Sequence, residues 1–323
     1  MMKWKKSIGA LLIAAALATS LAACGEGTTN STTNSSKPET ISQVGQSAAN
    51  MTPGEIFSAA KTASTNSSEQ DLQAKMTAVI KMSATAQGES ASIDMNLGAD
   101  LTAKADPFKM AMNMDLQMQA MGEKQNQKMD MYMIEEDGKC AVYMGADGQW
   151  QKQIIDLEGT EFEQLREQST RSFNTNDFTE AFQADAEVFE NKGIRKINGK
   201  DAVVLEGEIS ADEMMEALKS AGIEEQLSQL GLKLSDIQTK SGIKSVVYYD
   251  PQTYMPLQMD IDMTDYFNEL IQAMMKSELN SNGASMDIEK YTMSIQIVAY
   301  GKDVPDVVLP AAAANAKTVT GLV

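Results

Sequence analysis

Two cysteines carry most of the chemistry this sequence offers, and there is no histidine to work with either of them. Losing imidazole removes the commonest general base and the commonest metal ligand. Cys140 sits in the strand-like run Lys139-Cys140-Ala141-Val142-Tyr143. With no imidazole to take its proton, it reads as a small buried hydrophobe rather than a nucleophile. Serines and lysines are plentiful, but none stands in a G-x-S-x-G or S-x-x-K setting that builds a hydrolytic site. Two acidic groups, Glu135-Glu136-Asp137 and Asp260-Asp262-Asp265, have the right atoms for a cation but not EF-hand spacing. Asp260 and Asp262 alternate with Met259, Ile261 and Met263, so they read as the wet face of a strand. Trp150 follows a turn glycine and reads as an anchor at a strand start. The expectation is a protein that is not an enzyme, with no cofactor and no metal.

Cys24 is different, because its surroundings specify a modification. Lys3, Lys5 and Lys6 precede an uncharged apolar run from Ile8 to Leu17, followed by small residues and Leu21-Ala22-Ala23-Cys24. A basic start, a short apolar stretch and a small-residue cleavage site make residues 1–23 a secretory signal peptide. The apolar run is well short of the ~20 residues a membrane span needs. Its ending resembles the lipobox of bacterial lipoproteins. That resemblance implies a diacylglyceryl group, with palmitate-like chains, on the Cys24 thiol and cleavage just before it. The mature chain is then expected on the outer face of the bacterial cytoplasmic membrane, with the membrane as a partner through the lipid anchor. Two acyl chains anchor stably, since each buried methylene contributes about 0.8 kcal/mol.

The net charge is −18 for the whole chain, and loss of the three signal lysines leaves the mature part more acidic still. Such a surface repels phosphate backbones and anionic headgroups, so nucleic acid is excluded as a partner. Residues 24–52 are rich in Ser, Thr, Asn, Gln and Gly and read as a lipidated cysteine on a flexible polar tether. Pro53 opens a helix to about Thr65.

Beyond that helix, most of the chain alternates. Met76, Ala78, Ile80, Met82 and Ala84 occupy every second position, as do Ile93, Met95, Leu97, Ala99, Leu101 and Ala103. Met110, Met112, Met114, Leu116 and Met118 repeat the pattern, then Met129, Met131 and Met133. Period two over this length predicts antiparallel strands with one buried face. Strands are expected at 74–87, 90–105, 107–121, 126–136, 139–145 and 149–155, then 186–197, 201–210, 243–250 and 255–264, and a last long one. Gln87-Gly88, Asp137-Gly138, Asp147-Gly148 and Asn198-Gly199 mark hairpins. In the last strand Met286 and Ile288 lie in one phase and Tyr291, Met293, Ile295 and Ile297 in the other. That predicts a bulge near Glu289-Lys290. Helices are expected at Glu161–Arg171, Asp177–Ala184, Asp212–Ala221, Glu224–Leu230 and Tyr266–Leu279.

Strands of 12–16 residues form a sheet that must twist and curl, and few helices exist to cover it. The fold class expected is α+β, a large curved antiparallel sheet (half-barrel) with helices covering its concave face. The domain spans 53–310, with 311–323 as a C-terminal tail. Several features resemble the LolA/LppX-like lipoproteins, and more narrowly Gram-positive lipoproteins of that superfamily. They are the lipobox, tether, first helix, the Asp106-Pro107-Phe108-Lys109 corner, Gly148-Gln149-Trp150-Gln151-Lys152, and Val247-Tyr248-Tyr249-Asp250-Pro251-Gln252-Thr253. The resemblance implies an unclosed β-barrel whose cavity holds acyl chains of a lipid or lipoprotein, with no catalytic residues. Helices 53–65, 212–230 and 266–279 would open to admit them. Met95, Met110, Met112, Met114, Met118, Met129, Met131, Met133, Met259 and Met263 are the candidate cavity lining. Methionine is flexible and polarizable, and suits a surface that adapts to varied apolar partners. The same stripe also fits a filled core, in which case the protein is a structural or sensory surface module with a protein partner.

Overall fold

The computed structural model describes residues 47–66, 71–86, 89–120, 122–136, 138–155, 186–212, 239–278 and 285–319. Cys24 and the signal peptide lie outside them, as do the helices expected at Glu161–Arg171, Asp177–Ala184 and Glu224–Leu230 and all but the start of Asp212–Ala221.

Among the described residues twelve strands make one open sheet. In chain order they are β1 (Leu72–Ala86), β2 (Glu89–Lys104), β3 (Lys109–Ala120), β4 (Glu123–Glu136), β5 (Lys139–Ala146) and β6 (Gln149–Ile155). Then come β7 (Phe189–Ile197), β8 (Lys200–Ile209), β9 (Ile243–Tyr249), β10 (Pro256–Asp262), β11 (Ser285–Tyr300) and the two-residue β12 (Lys317–Thr318). The order across the sheet is β12-β6-β5-β4-β3-β2-β1-β11-β10-β9-β8-β7. Two meanders therefore stand back to back, joined where β1 pairs β11 over nearly their full length. All pairs are antiparallel except β12 on β6, so the sheet is mixed rather than wholly antiparallel.

The turns follow from local chemistry. Asp147 and Gly148 have φ of 50° and 77°, and Asn198 and Gly199 49° and 80°. These are the left-handed pairs that two-residue hairpins need. The β1–β11 register slips between Lys81 and Met82, where Lys290 and Ile288 are the successive partners. Glu289 is thus the extra residue of the expected bulge. A second slip leaves out Val298, between Gln73 and Ala74.

Helix α1 (Pro53–Asn66) starts in a capping box. The Thr52 N–H donates to Glu55 Oε2 at 2.7 Å, and the Glu55 N–H donates back to Thr52 Oγ1 at 3.3 Å. Helix α2 (Thr264–Glu278) is led in by Asp262, whose Oδ1 accepts from the Thr264 N–H and hydroxyl. Its Glu269 accepts from the N–H groups of Lys240 and Ser241 and from the Ser241 hydroxyl, tying α2 to the approach to β9.

Two boundaries differ from the sequence expectation. Ala48, assigned to the tether, is fully buried, and Asn191 Nδ2 donates to the carbonyls of Ala48 and Met51. Residues 311–323 were expected as a tail, but Ala311–Ala314 form a short helix, α3, with Ala313 fully buried, and Lys317–Thr318 extend the sheet. The reason is edge and face coverage. β6 would otherwise end the sheet with unpaired backbone groups, and Val319 N–H also donates to the Lys152 carbonyl.

Candidate functional site

Side chains of one parity make a continuous apolar face. Register carries a single row across nine strands: Leu205, Val247, Met259, Ile295, Met76, Ala99, Met114, Met129 and Ala146. At about 4.8 Å per strand the row is about 38 Å long.

Among the described residues the row is covered at its β8–β10 end, and from β1 to β5 its side chains are half-buried. At one end Ile56, Phe57 and Ala60 of α1 and Tyr266 and Phe267 of α2 pack on Val203, Leu205, Val247, Tyr249, Met259, Ile261 and Tyr291. The Phe57 ring meets Phe189 and Tyr249 edge-on, with centroids 5.2 and 6.1 Å away. Burial pushes the Tyr266 hydroxyl up to about 12 and Tyr291 higher. A second sealed cluster holds Leu101, Ala103, Phe108, Met110, Met133, Cys140 and Val142. Between the two lie Met76, Ala78, Leu97, Ala99, Met114, Leu116 and Met129, all half-buried and part of neither cluster. Met144, beside Met131, is 38% exposed.

The ten candidate methionines therefore divide. All lie on this face, but Met95, Met259 and Met263 are buried in the first cluster, with Met118 packed against it. Met110 and Met133 are buried in the second, with Met112 and Met131 half-buried beside it. Met114 and Met129, cross-strand partners, lie in the open band. Met76 and Met144 were not among the candidates. Met76 belonged to the alternation already, whereas Met144 was hidden by the short all-apolar run that contains it.

Cys140 is fully buried, and desolvation raises its thiol to about 11, well away from a nucleophile. Among the described residues no three His, Cys, Asp or Glu side chains gather as a metal site. Asp260 accepts from the Ser294 hydroxyl and from Gln258 Nε2, a structural use of a strand-face carboxylate.

The opposite face of β3–β6 is also apolar, which the alternation did not reveal. Ala111, Tyr132, Ala141 and Tyr143 are buried there under Val307 and Ala313. Trp150 packs on Tyr132, with ring centroids 5.8 Å apart. Nearby Tyr143 donates to Glu136 at 2.6 Å and Lys152 donates to it at 2.7 Å, with the ammonium 4.9 Å from the Tyr143 ring centre. Burial pushes the Glu136 carboxyl up, but the Lys152 and Tyr143 bonds outweigh it, and the net shift is downward. The signal for this second face was the run Cys140-Ala141-Val142-Tyr143, buried on both sides.

Among the described residues no helix is long and apolar enough to cross a membrane. No curated protein matches the chain. Among solved structures, LprF from Mycobacterium bovis is 11% identical over 81% of this chain and 97% of its own, at a TM-score of 0.36. Lipoprotein LppX from Mycobacterium tuberculosis is 10% identical over 78% and 97%, at a TM-score of 0.31. A putative outer membrane lipoprotein-sorting protein domain from Vibrio parahaemolyticus is 13% identical over 77% and 92%, at 0.21. A family model matches residues 52–282, and by it the chain belongs to the family of unknown function DUF6612.

Proposed function

We propose that this chain is a lipid-anchored extracytoplasmic lipoprotein that binds a hydrophobic ligand, a lipid or acyl chain, on its methionine band. The observation that carries the reading is the contrast along one face: apolar side chains of β1–β4 stay half-buried between two sealed clusters. In this reading the sheet bends around the band, so the ligand lies on a concave surface. Ala78 and Ala99 leave depth there, while Met76, Met114 and Met129 adapt to chains of no fixed shape. Binding is driven by desolvation, at about 0.8 kcal/mol per methylene removed from water. The anchor is Cys24, and the chain from there to about residue 46 is the tether. The protein binds and does no catalysis.

Native mass spectrometry of the full chain in mild detergent, followed by solvent extraction, tests this. The expected result is stoichiometric lipid, lost from the M114D/M129D double variant while the far-ultraviolet circular dichroism stays unchanged. Retention of lipid by that variant, or no lipid bound and none taken up by the parent, overturns the reading. The closed packing under α1 and α2 favours a second reading in that event, a filled surface module with a protein partner.

A further inference from the structure

Strands β3, β4 and β5 set thioethers opposite one another: Met110 faces Met133, Met112 faces Met131, Met114 faces Met129, and Met131 also faces Met144. Apolar packing alone would favour branched or aromatic residues on strands. We infer that this methionine ladder is a thioether site for a soft monovalent cation, Cu(I) or Ag(I), centred on Met112, Met114, Met129 and Met131.

The geometry is suitable. Directly opposite Cβ atoms lie about 5 Å apart, and successive same-face residues about 7 Å apart along a strand. The four residues thus mark a rectangle whose centre is about 4 Å from each Cβ. A methionine sulfur is two bonds beyond its Cβ, so three or four can converge above that centre. All four residues are half-buried, which leaves a route for the ion yet removes most competing water. Soft thioethers select Cu(I) over harder cations. The chain's net charge of −18 concentrates cations around it. Cys140 lies in the adjoining sealed cluster with its thiol held protonated, so the site works through neutral sulfur. A thioether has no proton to lose, and affinity is therefore independent of pH, unlike that of thiolate or imidazole sites.

This inference does not rest on the lipid reading, although both use the same face. The test is anaerobic competition for Cu(I) between the full chain in detergent and a colorimetric chelator, between pH 5.5 and 7.5. The parent should take one Cu(I) per chain, with affinity flat across that range and an X-ray absorption shell of sulfur only. Replacing all four residues by leucine conserves volume and apolarity. That variant should bind Cu(I) at least tenfold more weakly, whereas C140A should bind as the parent does. M114L/M129L provides a milder variant should the fourfold one fold poorly. Failure of the parent to compete, undiminished binding in the leucine variants, loss in C140A or a tenfold pH dependence overturns the inference. Loss of lipid alone bears only on the lipid reading.

Discussion

Replacing Phe57 by alanine tests whether α1 is an integral part of the sheet's core. Phe57 is fully buried and makes edge-to-face contacts with Phe189 and Tyr249, so its ring joins the helix to β7 and β9. A buried Phe→Ala change costs about 3–5 kcal/mol. The two aromatic contacts, worth about 0.5–1.5 kcal/mol each, push this site toward the upper end of that range. Against a typical stability of about 5–15 kcal/mol, the variant should be near its unfolding threshold. Urea unfolding followed by fluorescence provides the assay, because Trp150 lies near the far edge of the sheet in β6. If the sheet unfolds as one unit, Trp150 reports the loss although it touches nothing near α1. F57L keeps most of the apolar volume and should recover over half of the loss. A loss below about 1.5 kcal/mol in F57A would refute the packing argument, since no fully buried aromatic of this kind costs so little. An unshifted Trp150 transition with altered circular dichroism would refute the assumption of one cooperative sheet.

Other expectations follow from single side chains. Ser245 is fully buried and among the described residues its hydroxyl has no hydrogen-bond partner, so S245A should raise stability by about 1 kcal/mol in the same urea assay. A Cβ added at Gly207 would lie 2.6 Å from the Phe189 ring, so G207A should displace the ring and cost about 1–3 kcal/mol. Backbone N–H groups of Lys240 and Ser241 hold the Glu269 carboxyl below its ordinary value. Its stabilisation is therefore present above the unfolded carboxylate range and lost as pH falls through the lower folded value. Acid titration of E269Q should accordingly show a shallower stability loss below about pH 4.5 than the parent. In a C24A chain, an aromatic disulfide reagent should leave Cys140 unlabelled until urea unfolds the protein, because the thiol is buried and protonated.

Much of the local structure was legible because period two is a strong signal in strands this long. The run Met110 to Met118 named both the strand and its apolar face. The phase change from Ile288 to Tyr291 placed a bulge near Glu289-Lys290, since only an inserted residue lets both phases face one way, and the register makes Glu289 the extra residue. Asn198-Gly199 and Asp147-Gly148 located hairpins, because those residue types tolerate positive φ. Alternation says which residues share a face, but not what covers that face. It therefore left open that Met259 and Met263 are buried in the cluster with α1 and α2 while Met114 and Met129, in the same pattern, are half-buried. Nor did it mark Ala111, Tyr132 and Tyr143 as a second core, because their strands are apolar on both sides only where the C-terminal segment crosses them.

By itself the sequence determined the strands, their turns, the hydrophobic face and the acidic surface, all of which depend on neighbours within a few residues. Tertiary structure decided the rest. The pairing of β1 with β11 joins residues 200 to 228 positions apart, and no local pattern encodes which strand a free edge will choose. That choice sets two meanders back to back. Among the described residues it brings together two buried clusters and, between them, a band of apolar side chains that stay half-buried.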